Sequence, residues 1–217
     1  MKNRKITSIL LLTGVLSSVC LGNTMSSGSA VVTQSFDDRI NKDVSIYKKY
    51  ASDVKRGVPP LFAAIQNHFY SKISEVLSTG VSIEEKNKHK DTPLFFALRQ
   101  KDDKMIELLL KAGANPNVME KNGLYSALSW SVSDNSISTV RLLLDNGADV
   151  NYQVKKSETA LTVAAKGCKK FDMVSLLLIH GADPELMDTF KQNTLTGLKR
   201  YCTASPDYEK MKALLEK

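Results

Sequence analysis

The chain has 217 residues, of which 42% are hydrophobic and 24% charged, with a formal net charge of +7. That composition fits a globular protein with an ordinary core and excludes collagen-like, low-complexity and disulfide-dense scaffolds. The first 30 residues hold Lys2, Arg4 and Lys5 and no acid, so the remainder carries 27 cations against 23 acids, too mild a bias to indicate nucleic-acid binding.

Those first 30 residues read as an export leader. The positive start is followed by an apolar run from Ile6 to Val19 and then by small residues from Gly22 to Ala30. The run is shorter than the roughly 20 apolar residues that cross a bilayer, so cleavage would leave no stable membrane span. A lipoprotein reading through Cys20 is weaker, because Val19 and Ser17 stand where a small residue and a leucine are wanted. Residues 31–57 then form a predicted capping helix. Ile40, Val44, Tyr47, Ala51 and Val54 fall on one face, and Lys42, Asp43, Lys48, Lys49 and Asp53 on the polar opposite face.

From Pro59 onward the chain repeats itself. Leu61, Leu94, Leu128, Leu161 and Leu195 are spaced by 33, 34, 33 and 34 residues, and Gly80, Gly113, Gly147 and Gly181 by 33, 34 and 34. A small residue recurs at Ala64, Ala97, Ser131 and Ala164. The clearest copy is Thr92–Val118. Thr92 suits an N-cap and Pro93 the first helical position. Leu94, Ala97 and Leu98 make one apolar stripe, Ile106, Leu109 and Leu110 a second, and Gly113 can end the helix in the left-handed conformation. Neither short helix can bury its stripe alone, so the unit needs copies on both sides. The predicted repeats are 59–91, 92–125, 126–158, 159–192 and 193–217, the last with an insertion from Thr203 to Asp207.

This period, with Thr-Pro-Leu at its start and Gly-Ala-Asp at its end, resembles the ankyrin repeat family. The resemblance implies an all-α solenoid of helix–turn–helix units joined by β-hairpin-like loops. It implies binding of a protein partner through the hairpin tips and the exposed ends of the first helices. Carried over by column, the contact residues are Lys88, His89, Arg99, Lys121, Asn122, Tyr125, Lys155, Lys156, Lys166, Phe190, Lys191, Arg200 and Tyr201. Their lysines and arginines point to a partner with an acidic surface, and Tyr125, Phe190 and Tyr201 are of the types that anchor interfaces. Among exported ankyrin proteins of bacteria, the resemblance is to periplasmic immunity proteins that neutralise a secreted toxin such as a phospholipase. Secreted effectors that bind host proteins, and periplasmic proteins of oxidative-stress defence, are the alternatives.

No enzyme is expected. His68, His89 and His180 lie in three different columns, and no metal-binding, nucleophile or phosphate-loop motif occurs, so neither cofactor nor metal is called for. Cys168 and Cys202 stand nine residues after Thr159 and Asn193, in one column of neighbouring repeats. An oxidising compartment would favour a disulfide between them. Helices packed about 8–10 Å apart are too distant for one unless the two turns lean together, so a pair of free buried thiols stays open.

Overall fold

The structure, a computed structural model, describes residues 43–154, 158–168 and 171–216. The expected leader, Cys20, the start of the capping helix, and Lys155 and Lys156 lie outside these residues. The chain divides into two units, Met1–Val44 and Ser45–Lys217, and all that follows concerns the second, except that its first helix, α1, begins at residue 43.

The helical run 43–55 is α1. Five helix pairs follow. They are α2 (Pro60–Gln66) with α3 (Lys72–Ser78), α4 (Pro93–Gln100) with α5 (Asp103–Lys111), and α6 (Ala127–Ser133) with α7 (Ile137–Asp145). The last two pairs are α8 (Ala160–Lys166) with α9 (Phe171–Ile179), and α10 (Thr194–Tyr201) with α11 (Tyr208–Leu215). First helices pack on first helices along the array, α2 on α4, α4 on α6, α6 on α8 and α8 on α10. The second helices make a parallel row behind them, with α5 on α7 and α9 on α11. Among the described residues the loops carry one isolated antiparallel bridge, Met119 with Ser126, and otherwise close as turns.

Each first helix from α4 onward starts where a side chain can satisfy an orphan N–H. Thr92 Oγ1 accepts from Phe95 N at 3.3 Å, and Asn193 Oδ1 from Thr196 N at 3.0 Å. Ser126 with Ser129, and Thr159 with Thr162, bond reciprocally as capping boxes. Leu61, Leu94, Leu128 and Leu161 are all buried, whereas Leu195 is only partly so. The small-residue column is buried throughout. Ser131 is tolerated there because its hydroxyl donates to Ala127 O at 2.8 Å, and Leu198 fills the same column in the last repeat.

The four glycines that close the second helices all have φ between +84° and +91°, with open space where a Cβ would stand. Their requirement is therefore conformational rather than steric. Gly113→Ala should lower stability by about 1 kcal/mol without altering the fold, measured as a shift in urea midpoint at constant slope.

The capping helix differs from its expected pattern. Ala51 is exposed, and Asp53, assigned above to the polar face, is buried. Asn67, at the end of α2, explains this: its Nδ2 donates to Asp53 Oδ2 at 2.6 Å and to Ala63 O at 2.8 Å. Arg56 pairs with the other Asp53 oxygen. The Asn67 hydrogen bond outweighs burial and, with the help of Arg56, holds the Asp53 carboxyl below the usual range. Tyr47 and Tyr50 meet Phe69 edge-on at 6.4 and 5.9 Å, so the seal on the first repeat is aromatic.

Candidate protein-binding surface

The tips are tight turns built by the same device at both ends of the array. Asn87 Oδ1 accepts from His89 N and Asp91 N at 2.8 and 3.1 Å, and Asp188 Oδ1 from Phe190 N and Gln192 N at 2.7 and 3.0 Å. Lys90, Gly123 and Lys191 occupy the left-handed position of their turns. This geometry pushes Lys88, His89, Lys121, Asn122, Phe190 and Lys191 towards solvent. Tips also bond along the row. Asn117 Oδ1 accepts from Asp149 N, and Asn151 Oδ1 from Asp183 N, both at 2.8 Å, while Gln153 Nε2 donates to Met187 O at 3.2 Å.

Two cations of the expected ladder are not free. Lys166 Nζ lies 2.6 Å from Asp188 Oδ2 and 3.0 Å from Glu158 Oε1, and the Lys166 side chain is 20% exposed against 0% for Asp188. Burial alone would lower the Lys166 ammonium and raise the Asp188 carboxyl. The hydrogen bonds between them, with Glu158 on the lysine and the backbone N–H groups of Gln192 and Phe190 on the aspartate, reverse both directions. Arg99 holds the same column two repeats earlier. Its guanidinium faces Asp91 at 3.5 Å and Glu120 at 3.7 Å and stacks 4.9 Å from the Trp130 ring and 5.2 Å from Phe95. In each case the cation at the end of a first helix bridges the acid before that helix to the acid of the following tip. Asp91 is accordingly buried.

Tyr125 is half buried, edge-on to Trp130 at 5.8 Å, and so forms one platform with Arg99. Arg200 is exposed beside the Tyr201 ring, 5.6 Å from its centroid. Of the six large hydrophobic residues that are exposed among those described, Met119, Leu124, Met187 and Phe190 sit on tips, Tyr201 ends α10, and Ile179 alone belongs to a second helix. Met119, Leu124 and Met187 were missed by sequence reasoning. Their position beside the tip columns was the available cue, but only their exposure separates them from core residues.

A partly open depression between Leu98, Trp130, Ser131 and Thr139 measures about 10 Å³, room for one water. No described helix is long and apolar enough to cross a membrane.

A family profile for "Ankyrin repeats (3 copies)" matches residues 40–120 and 101–188. The chain belongs to the ankyrin repeat family. Among relatives of this ankyrin chain, "Putative ankyrin repeat protein R664" of Acanthamoeba polyphaga mimivirus is 38% identical over 45% of the chain and 62% of its own length. "Putative ankyrin repeat-containing protein" of Treponema pallidum (strain Nichols) is 30% identical over 62% of the chain and 46% of its own length. "L-asparaginase" of Dirofilaria immitis is 32% identical over 59% of the chain but only 21% of the relative. The ankyrin chain thus spans less than two thirds of each. Ankyrin repeats bind proteins.

Cys168 and Cys202 are joined in a disulfide with Cα atoms 5.2 Å apart. The two turns do lean together, and the backbone differs at the two cysteines although they share a column. Gly167 caps α8 and Cys168 follows it in the left-handed conformation at φ 50°, whereas Cys202 is itself the cap of the longer α10. Gly197 lets the two helices approach, since a Cβ there would stand 3.1 Å from Lys166 Cγ.

Proposed function

We propose that this ankyrin protein is a non-catalytic binding module of the periplasm or cell exterior that holds and blocks a protein partner with an acidic surface, as an immunity protein does a secreted toxin. The observation that carries the binding surface is the exposure of Phe190 at 71%, Met187 at 56% and Tyr201 at 52%, grouped at the C-terminal end of the array. Large apolar side chains left in solvent on one side of a protein mark an interaction site. The export reading is supported by the leader-like first 30 residues and by the disulfide, which suits an oxidising compartment. The free cations proposed to steer the partner are Lys88, Lys121, Lys191 and Arg200, with His89 and Asn122 beside them. Lys155 and Lys156 join them on sequence alone. Arg99 and Lys166 contribute through their neighbours, because acids already neutralise them.

The test is capture of a partner from periplasmic extract of the native host, followed by binding kinetics at two salt concentrations. Phe190→Ala and Tyr201→Ala should each speed dissociation tenfold or more, about 2 kcal/mol for a true anchor. Charge reversal at Lys88, Lys121 and Lys191 should slow association and flatten its salt dependence. Loss of binding on changing Ile179 or Arg141 in the second-helix row, with the tip variants unaffected, would place the site elsewhere.

A further inference from the structure

The two ends of the disulfide are unequal. Cys168 is exposed in the turn between α8 and α9, and Cys202 is 1% exposed beneath it. The last of the five repeats buries few apolar side chains of its own, although α10 lies closely against α8. Apart from Cys202, the apolar residues that α10 and α11 bury are Leu198, Met211 and Leu215, with Gly197 inside α10. The second repeat, by contrast, buries Leu94, Phe95, Leu98, Met105, Ile106, Leu109 and Leu110. A repeat of a solenoid is held through its neighbours, and here the disulfide adds a covalent tie between the turn after α8 and the end of α10.

We propose that Cys168 Sγ is a site of thiol–disulfide exchange with a dithiol, and that its opening releases α10 and α11 from the array. One thiolate of the dithiol attacks Cys168 Sγ, the sulfur that solvent reaches. The S–S bond breaks, and Cys202 leaves as a thiolate that takes a proton from water. The second thiolate of the dithiol then attacks the dithiol's own sulfur in the mixed disulfide and frees Cys168, which is protonated in turn. The dithiol ends as a disulfide, and the protein gains two electrons and two protons. Attack on Cys202 is disfavoured because its sulfur is covered by the packed turn. Tyr201 adjoins Cys202, and the tip carrying Met187 and Phe190 leads directly into α10. Release therefore takes apart the aromatic end of the docking surface. That consequence rests on the function proposed above, while the exchange itself does not.

Two measurements on the whole oxidised chain test this. First, reduced glutathione is added without denaturant, the reaction is quenched with N-ethylmaleimide, and peptides are mapped by mass. Glutathione is expected on Cys168 and N-ethylmaleimide on Cys202. The reverse pattern, or no reaction until denaturant is added, overturns the proposal. Second, hydrogen exchange is followed before and after dithiothreitol. Amides of α10 and α11 should exchange at least about tenfold faster after reduction, while those of α5 and α7 keep their protection. Unchanged protection in α10 and α11, or equal loss throughout, overturns it. Cys168→Ser combined with Cys202→Ser should reproduce the second result without reductant, and the reduction of the natural chain decides between the outcomes if that variant does not fold. Partner binding, measured separately, reports on the docking surface alone, so its failure would leave the exchange at Cys168 standing.

Discussion

Phe95→Ala is expected to destabilise the array by about 3–5 kcal/mol, the range for deleting a fully buried aromatic ring. Phe95 has no exposed surface and stands edge-on to Trp130 at 5.6 Å, so it joins the second repeat to the third. Its ring also supports the Arg99 guanidinium. In a solenoid, stability is a sum of repeat terms and nearest-neighbour interfaces, and this substitution damages both at mid-array. Thermal unfolding should fall by about 10 °C. It should also lose its single transition, with the repeats on either side melting apart. Trp130 is the single tryptophan of the chain, so its fluorescence reports the break directly. A single, merely shifted transition would mean that coupling between repeats does not pass through this pair.

Lys166→Ala should cost about 3 kcal/mol, the lower end for breaking a buried ion pair, because the lysine retains some exposure. Asp188 would be left with a fully buried side chain and no cation. Lys166→Met, which keeps the stem that packs over Gly197, should recover only the packing share. The pH response separates the charge effect from packing. In the natural protein the Asp188 carboxyl lies below its unfolded value. Its contribution is therefore complete above about pH 4 and is lost as the pH falls through the folded value. Lys166 is held above its unfolded value, so its contribution is complete below about pH 10 and is lost as the pH rises through the folded value. In either variant burial acts on Asp188 without a donor at Nζ, and the acid limb should move to higher pH. An acid limb that stays in place, seen by denaturant unfolding between about pH 2 and 6, would show that the pair is not what holds this joint.

The array itself was legible because its signals are periodic. A leucine every 33 or 34 residues, a glycine after four of the five second helices and a hydroxyl or amide at most first-helix N-caps are local and repeated. Ion pairing was not legible. Lys166 meets Glu158 eight residues back and Asp188 22 residues ahead, and nothing in a column of cations shows which are already matched. Asp53 misled for a similar reason. Helical spacing puts it on the polar face, and only the position of Asn67, 14 residues on, makes it an interior group. The cysteine column was visible, but the close approach of the two turns, with Cα atoms 5.2 Å apart, was not.

The Asp91–Arg99–Glu120 and Glu158–Lys166–Asp188 bridges have a consequence for how such an array can be cut and rejoined. Both acids and the cation between them fall inside one 34-residue segment only if it starts no later than the acid before the N-cap, as 91–124 and 158–191 do. Tandem copies of 92–125 would place Tyr125 where Asp91 belongs and leave each arginine with one acid. Copies of 91–124 carry all three members across every junction. The transferable module of this protein is thus one residue out of phase with the helix boundaries, and hybrid arrays assembled in the two frames should differ in stability at every joint although they contain the same helices.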